Sequence, residues 1–367
     1  MLKFLLITFI FLFINACTVL IPFLIPLSNL PVPSGLNNVG TKILEWEDSS
    51  RKEWFTSNSE DFRKLVLQVW YPTDDSLGKI AQYLDHPEIR LKPIAKTIEL
   101  PEKLIQHIQY IETNSFVNAN IKADNIQYPL ILFSHGLGGM RMQNTIQMEE
   151  LASYGYVVVS VDHAYDANIT IFSDGSIADF RSGLRDDATE EEFWKVRLPQ
   201  LNTRSKDLIF IIDQITNEIS NGDSFWEMVD IDKIGLIGHS YGGATAIVTS
   251  FNDNRIDACI NLDGWIEPIK TEILKEGLDI PYLYIGQLSW KDTPLNDLKL
   301  DSLILSSRGL KELIPGTKHF DYSDTPQFTS ISKKFGISGS IDMDLLRKRI
   351  NTIMITFFDK NVKLENN

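Results

Sequence analysis

From residue 65 onward the chain alternates short apolar runs with longer amphipathic ones. Six runs read as strands: LVLQVWYP (65–72), YPLILFSHG (128–136), YVVVSVDH (156–163), KIGLIGHS (233–240), DACINLDG (257–264) and PYLYIGQL (281–288). Several are near-continuous in β-branched or aromatic residues, the pattern of strands buried on both faces. Helical stretches lie between them at 143–154, about 194–220, 242–252 and 342–360, and DLIFIIDQI (207–215) carries a pronounced apolar face. Strands alternating with helices, with no internal repeat, predict an α/β fold with a mostly parallel sheet covered on both sides. In such a fold the chemistry sits at the carboxyl ends of the strands.

Two insertions interrupt the alternation. Residues 73–127 contain PEKLIQHIQYIE, where Leu104, Ile108 and Ile111 at helical spacing predict a helix with one face in the core. A role as an entrance or membrane-contact helix is the alternative. Residues 164–193 read as a polar loop.

The N-terminus reads as an address. Residues 1–16, MLKFLLITFIFLFINA, place one Lys before an apolar run from Phe4 to Ile14 and end on a small residue, the layout of an export signal. The next residue is Cys17, and Ile14-Asn15-Ala16-Cys17 resembles the bacterial lipobox, in which the cysteine is lipidated and becomes the new N-terminus. Two other readings are an uncleaved anchor over residues 4–27, against which Pro22 and Pro26 count, and a plain cleaved signal. Each reading places the body outside the cytoplasmic membrane, and the first makes it a membrane-anchored bacterial lipoprotein. Pro22, Pro26, Pro31 and Pro33 predict an extended tether over 17–34, ahead of a single domain over 35–367.

Charge and composition narrow the function classes. The 367 residues carry 49 acidic and 35 basic side chains, a net charge of −14, which argues against a nucleic-acid partner. The two cysteines, Cys17 and Cys259, cannot build a disulfide framework, and no CxxC or Cys/His cluster suggests a metal. No metal and no cofactor are expected.

The most informative stretch is Gly238-His239-Ser240-Tyr241-Gly242-Gly243, between the strand-like IGLI and the helix-like ATAIVTS. This is the strand–turn–helix context of the G-x-S-x-G nucleophile elbow, in which glycines two residues either side of the serine let strand and helix pass closely. Serine needs a base, and in this fold the order is Ser, acid, His. Of six histidines only His319, in ELIPGTKHFDYSD, follows Ser240. The acid is open between Asp263, at the end of DACINLD, and Asp292, after the next strand; Asp297, Asp321 and Asp324 read as solvated loop or capping residues. An oxyanion hole needs two backbone N–H groups, expected from Tyr241, after the nucleophile, and from Leu137 in the glycine-rich loop Phe133–Gly139. His135, before that glycine turn, reads as a structural hydrogen-bonding residue.

Taken together, LFSHGLGG (132–139), LASYGYVVVSVDH (151–163), IGHSYGGATAI (237–247), NLDGW (261–265) and GTKHFDYSD (316–324) resemble the plasma-type platelet-activating factor acetylhydrolases, also called lipoprotein-associated phospholipase A2, and their bacterial relatives. The likeness runs from about Pro31 to the final helix near 360. It implies the α/β-hydrolase fold, a triad of Ser240, Asp263 and His319, and oxyanion donors at Leu137 and Tyr241. By this likeness the acid is Asp263 rather than Asp292. It also implies a serine carboxylic ester hydrolase that cleaves short or oxidised sn-2 acyl groups from phospholipids. Gly264 stands where Ala is common in the family, an exchange expected to matter little. The 73–127 segment matches the family poorly, so acyl-chain preference is less constrained than the triad. Alternatives are a general short-chain carboxylesterase or polyester-type hydrolase of the same fold, and a surface lipoprotein that uses a relic hydrolase fold for binding.

Overall fold

The computed structural model describes residue 22 and residues 25–123, 126–291, 293–329 and 331–363. The signal-like segment 1–16, Cys17 and Asp292 therefore lie outside the described residues.

Twelve strands are described: β1 (Asn38–Lys52), β2 (Phe62–Thr73), β3 (Ile80–Gln82), β4 (Glu112–Val117), β5 (Tyr128–Ser134), β6 (Val157–Asp162), β7 (Ile169–Ile171), β8 (Ile177–Asp179), β9 (Val229–His239), β10 (Ile256–Leu262), β11 (Tyr282–Gly286) and β12 (Leu310–Leu313). All but the β7–β8 pair join one sheet in the order β12-β11-β10-β9-β5-β6-β2-β1-β4-β3. From β12 to β6 every neighbour is parallel, whereas β2 and β1 add on antiparallel.

The longer helices among the described residues are α1 (Pro87–Thr97), α2 (Thr145–Ser153), α3 (Glu190–Ser220), α4 (Tyr241–Asn252), α5 (Pro294–Ser306) and α6 (Met343–Phe358). Alternate residues of the central strands feed two cores. Leu130 and Leu132 of β5, with Ile234 and Leu236 of β9, face a cluster shared with α3, α4 and α5. Ile131, Phe133 and Ile237 face a second cluster with α2 and α6. Burial on both sides is why these strands read as unbroken apolar runs.

Several expectations need correcting. β1, fifteen residues long, lies in a stretch where no strand was expected; it mixes exposed and buried positions, so its apolar signal is weak. The helix expected around Leu104–Ile111 is split into a turn at Glu102–Ile105 and a 3-10 turn at Gln106–Tyr110. Ile105, Ile108 and Ile111 nevertheless join a core, while Leu104 is half-buried outside it. Ile111 is buried with Leu30, Leu91, Met142 and Ile146, and Ile105 and Ile108 pack against them. Residues 164–193 are not simply a solvated loop, since the β7–β8 hairpin buries Ile169, Ile171 and Ala178. Nor is the proline-rich stretch free over its second half. Ser28 N–H donates to Phe328 O at 3.1 Å, Leu30 N–H donates to Glu112 O at 3.1 Å, and Leu30 is buried. The described residues there form no helix, in keeping with the prolines, but they are fastened to the body.

A buried ionic layer braces the β5–β6 end of the sheet. Arg63, fully enclosed, donates to Glu53 at 2.7 Å and forks onto Asp207 at 3.1 and 2.6 Å. Asp207 also accepts from His163 Nδ1 at 2.8 Å, and His163 Nε2 meets Ser134 Oγ at 3.0 Å at the end of β5. The arginine holds the Asp207 carboxyl far below the usual carboxylate range. Removing one partner of such a group strands the other charge in a low-dielectric interior. Asp207→Ala is expected to lower stability by about 3–5 kcal/mol in urea unfolding, and a loss under about 1 kcal/mol would contradict this account.

Candidate active site

Ser240 stands between the end of β9 and the first residue of α4, with φ 55° and ψ −123°. A non-glycine residue adopts this conformation only when its surroundings impose it. Here its N–H donates to Leu262 O at 3.1 Å, and its own carbonyl accepts from Gly243 N at 2.9 Å and Trp265 N at 2.9 Å. The flanking glycines are sterically necessary. A Cβ on Gly238 would collide with the Gly242 carbonyl, and one on Gly242 with the Ser134 carbonyl at the end of β5.

His319 begins a 3-10 turn, His319–Tyr322, that follows β12. Its Nε2 lies 2.9 Å from Ser240 Oγ and its Nδ1 lies 2.7 Å from Asp263 Oδ2. Asp263 follows β10, is fully buried, and itself has a positive φ of 43°. Its Oδ1 accepts from Tyr284 OH at 2.9 Å and Gln287 N at 3.0 Å, and its Oδ2 also accepts from Gln287 Nε2 at 3.0 Å. The carboxylate therefore has a full set of donors, and Nδ1–H of the imidazole is held toward it, which leaves Nε2 as the acceptor facing the serine.

The glycine loop after β5 runs alongside. A Cβ on Gly136 would lie 3.2 Å from Ser240 Cβ, which measures how closely the loop and Ser240 approach. Gly138, at φ 66°, donates to Asp166 O at 3.0 Å and turns the loop. Leu137 N–H and Tyr241 N–H make no backbone or side-chain hydrogen bond among the described residues. A serine with an imidazole on its Oγ, a buried carboxylate behind the imidazole and two unengaged amides nearby has the parts needed for acyl transfer.

The sequence profile described as platelet-activating factor acetylhydrolase, isoform II, matches residues 29–367. The chain belongs to this family. Among its relatives is a platelet-activating factor acetylhydrolase of Bos taurus, 30% identical over 323 residues that cover 82% of this chain and 72% of the bovine one. A probable 1-alkyl-2-acetylglycerophosphocholine esterase of Arthroderma benhamiae is 25% identical, covering 86% of this chain and 81% of that one. Among solved structures, a ferulic acid esterase from Streptomyces cinnamoneus superimposes with a TM-score of 0.73 at 25% identity, over 92% of this chain and 93% of that one. The fold is thus the α/β-hydrolase fold.

Within this acetylhydrolase framework the structure adds residues that the sequence reading missed. Tyr284 and Gln287 brace Asp263 from β11 and the residue just beyond it. Trp290 packs its edge on His319, with ring centroids 4.8 Å apart. His239 stacks on the other side at 4.8 Å and 24°. Of these only His239, the last residue of β9, had a position in the sequence that could have signalled it. Gly264, expected to tolerate Ala, is tight, since an added Cβ would collide with the Asn261 side chain. Asp321 and Asp324 are not solvated. Asp324 is fully buried and accepts from Ile146 N at 3.2 Å in the first turn of α2, while Asp321 accepts from Lys318 N and Gly339 N, each at 2.8 Å.

His135 is buried, donating Nδ1–H to Gly136 O at 2.6 Å and accepting His163 N–H at 3.2 Å on Nε2. Burial, with Arg204 beside it, pushes its pKa down to about 3, and burial likewise holds His239 well below the ordinary histidine range. Both therefore stay neutral in the folded protein and charge only on unfolding. A depressed folded pKa contributes stability above the unfolded value, near 6.5, that is lost as pH falls below it. These two groups alone are expected to cost about 3 kcal/mol between pH 7.5 and 5.5, before the carboxylates titrate. Urea midpoints across that window test this, and a flat profile would contradict it.

Proposed function

We propose that the chain is a serine carboxylic ester hydrolase that releases short or oxidised sn-2 acyl groups from phospholipids. The observation that carries the reading is the hydrogen-bonded chain from Ser240 Oγ through His319 to Asp263, at 2.9 and 2.7 Å. Ser240 Oγ attacks the ester carbonyl as its proton passes to His319 Nε2, and Asp263 stabilises the imidazolium that forms. The amides of Leu137 and Tyr241 donate hydrogen bonds to the oxyanion. The tetrahedral intermediate collapses as His319 protonates the departing alcohol, which leaves an acyl-serine. Water, deprotonated by the same imidazole, then releases the acid.

The substrate class follows the names of the bovine and fungal relatives. The rim is consistent with a lipid-like ester, since Phe320, next to His319, and Leu288, next to Gln287, are 52% and 58% exposed. A second reading, a short-chain esterase of soluble esters, draws on the ferulic acid esterase neighbour. The membrane reading rests on the sequence around Cys17, which we take as a lipid-carrying residue that keeps the body at a membrane surface outside the cytoplasm. Among the described residues no helix is long and apolar enough to cross a membrane.

Full-length protein in detergent and its Ser240→Ala variant would be compared on a 2-acetyl phospholipid, a long-chain phospholipid and an aryl acetate. The variant is expected to lose about 10⁴-fold or more in kcat, with acetyl release from the phospholipid far faster than long-chain release in the parent. Cleavage of the aryl acetate alone would favour the second reading. Cells fed a palmitate analogue are expected to label the parent and not Cys17→Ser; equal labelling would remove the anchor from Cys17.

A further inference from the structure

One residue, through its side chain and its backbone carbonyl, joins the glycine loop, the elbow at Ser240 and the segment after His319. Gln143 lies between the glycine loop and α2. Its Oε1 accepts the Gly136 N–H at 3.2 Å, and its Nε2 donates to Asn144 Oδ1 at 3.0 Å and to His239 Nδ1 at 2.8 Å. A backbone N–H can only donate, so the amide orientation is determined: oxygen toward Gly136, nitrogen toward His239. That orientation determines the next link as well. With Nδ1 of His239 accepting, the ring proton sits on Nε2 and points to the carbonyl of His319, 3.3 Å away. Asn144, oriented by the same amide, donates to Tyr322 O at 2.8 Å at the other end of the His319 turn. The backbone of Gln143 is tied to that segment too, since its carbonyl accepts Asp324 N–H at 2.9 Å.

The consequence for the Leu137 amide follows from peptide geometry. Leu137 N–H and Gly136 C=O belong to one rigid plane and point in opposite directions. The Gly136 carbonyl is held by His135 Nδ1 at 2.6 Å and Gly139 N at 3.0 Å, while the Gly136 N–H on the other side is held by Gln143. Gln143 therefore closes the set of bonds that fixes the direction of the Leu137 N–H.

We propose that Gln143 is a positioning residue for ester hydrolysis, holding the Leu137 amide and the His239–His319 ring stack in register with Ser240. This rests on the reading of Ser240 as nucleophile. Gln143 does not touch substrate, so its loss should act on kcat through the geometry of the oxyanion and imidazole, leaving ground-state binding nearly unchanged.

The test uses the full-length protein in detergent with an aryl acetate, comparing the parent, Ser240→Ala, Gln143→Leu and Gln143→Glu. Gln143→Leu is expected to lose roughly 10- to 100-fold in kcat with KM within about twofold. Gln143→Glu keeps an acceptor for the Gly136 N–H, with His239 taking up a proton to meet the carboxylate, and is expected to be the more active of the two variants by about threefold or more. A merely structural role predicts the opposite order, because an apolar side chain of similar size is tolerated in a half-buried site better than a charge. The proposal is overturned if Gln143→Leu stays within about twofold of the parent in kcat, if Gln143→Glu is the weaker variant, or if the loss only tracks the folded fraction in a melting curve. An inactive Ser240→Ala beside an unimpaired Gln143→Leu removes the positioning role alone. A Ser240→Ala protein that still turns over removes the nucleophile reading, and the positioning role with it.

Discussion

The backbone of Ser240 is held where a serine would not go unaided, at φ 55° and ψ −123°. Strain of this kind is worth on the order of 1–3 kcal/mol and persists only when neighbours over-determine it. Here the neighbours are the ends of three adjacent parallel strands. The Leu262 carbonyl at the end of β10 holds the serine N–H, while the Ser134 carbonyl at the end of β5 presses against Gly242. The elbow is therefore a product of the sheet's register. Any change that shifts β5, β9 or β10 against one another acts directly on Ser240.

The same logic explains why so much polarity is enclosed behind the site. Ser134, His163, Asp207 and Arg63 form a continuous hydrogen-bonded line from the end of β5 to β2, and all four are fully buried or nearly so. Ser134, His163 and Asp207 repeat the types found in Ser240, His319 and Asp263, but with no solvent access they have no substrate to meet. Their role is to hold the carboxyl end of β5, from which the glycine loop departs. Such groups contribute little net stability when paired and cost much when unpaired, so they specify one arrangement of this end of the sheet rather than a stronger one.

What the sequence revealed, and what it hid, divides along physical lines. Strands β5, β9 and β10 were legible because burial on both faces leaves an unbroken apolar signature, and Ser240 and His319 because motif and chain order constrain them. Asp263 became distinct from Asp292 only by family likeness. β1 escaped notice because a strand toward one side of the sheet, with exposed Ile43, Glu47 and Ser49 among its inward residues, carries a diluted pattern. The helix expected from Leu104 to Ile111 had the right apolar face but was divided into two turns that wrap the Leu30 and Ile146 cluster. Gln287 and Gln143 were invisible for a different reason. They act across 24 and 96 positions of chain, on Asp263 and His239 respectively, and nothing local distinguishes them from solvated glutamines.

The fastening of the N-terminal strap has a consequence for where this body can sit. Ile25 O accepts from His107 Nε2 at 2.7 Å, and Ser28 and Leu30 are sewn to Phe328 and Glu112. Phe328 and Leu30 share a cluster with Met142, the neighbour of Gln143. On the lipid-anchored reading eight residues of chain separate Cys17 from Ile25, and covalent geometry caps that separation at about 29 Å. Whatever surface held Cys17 would then hold the fastened body within that distance, so the anchor would choose which esters the site meets.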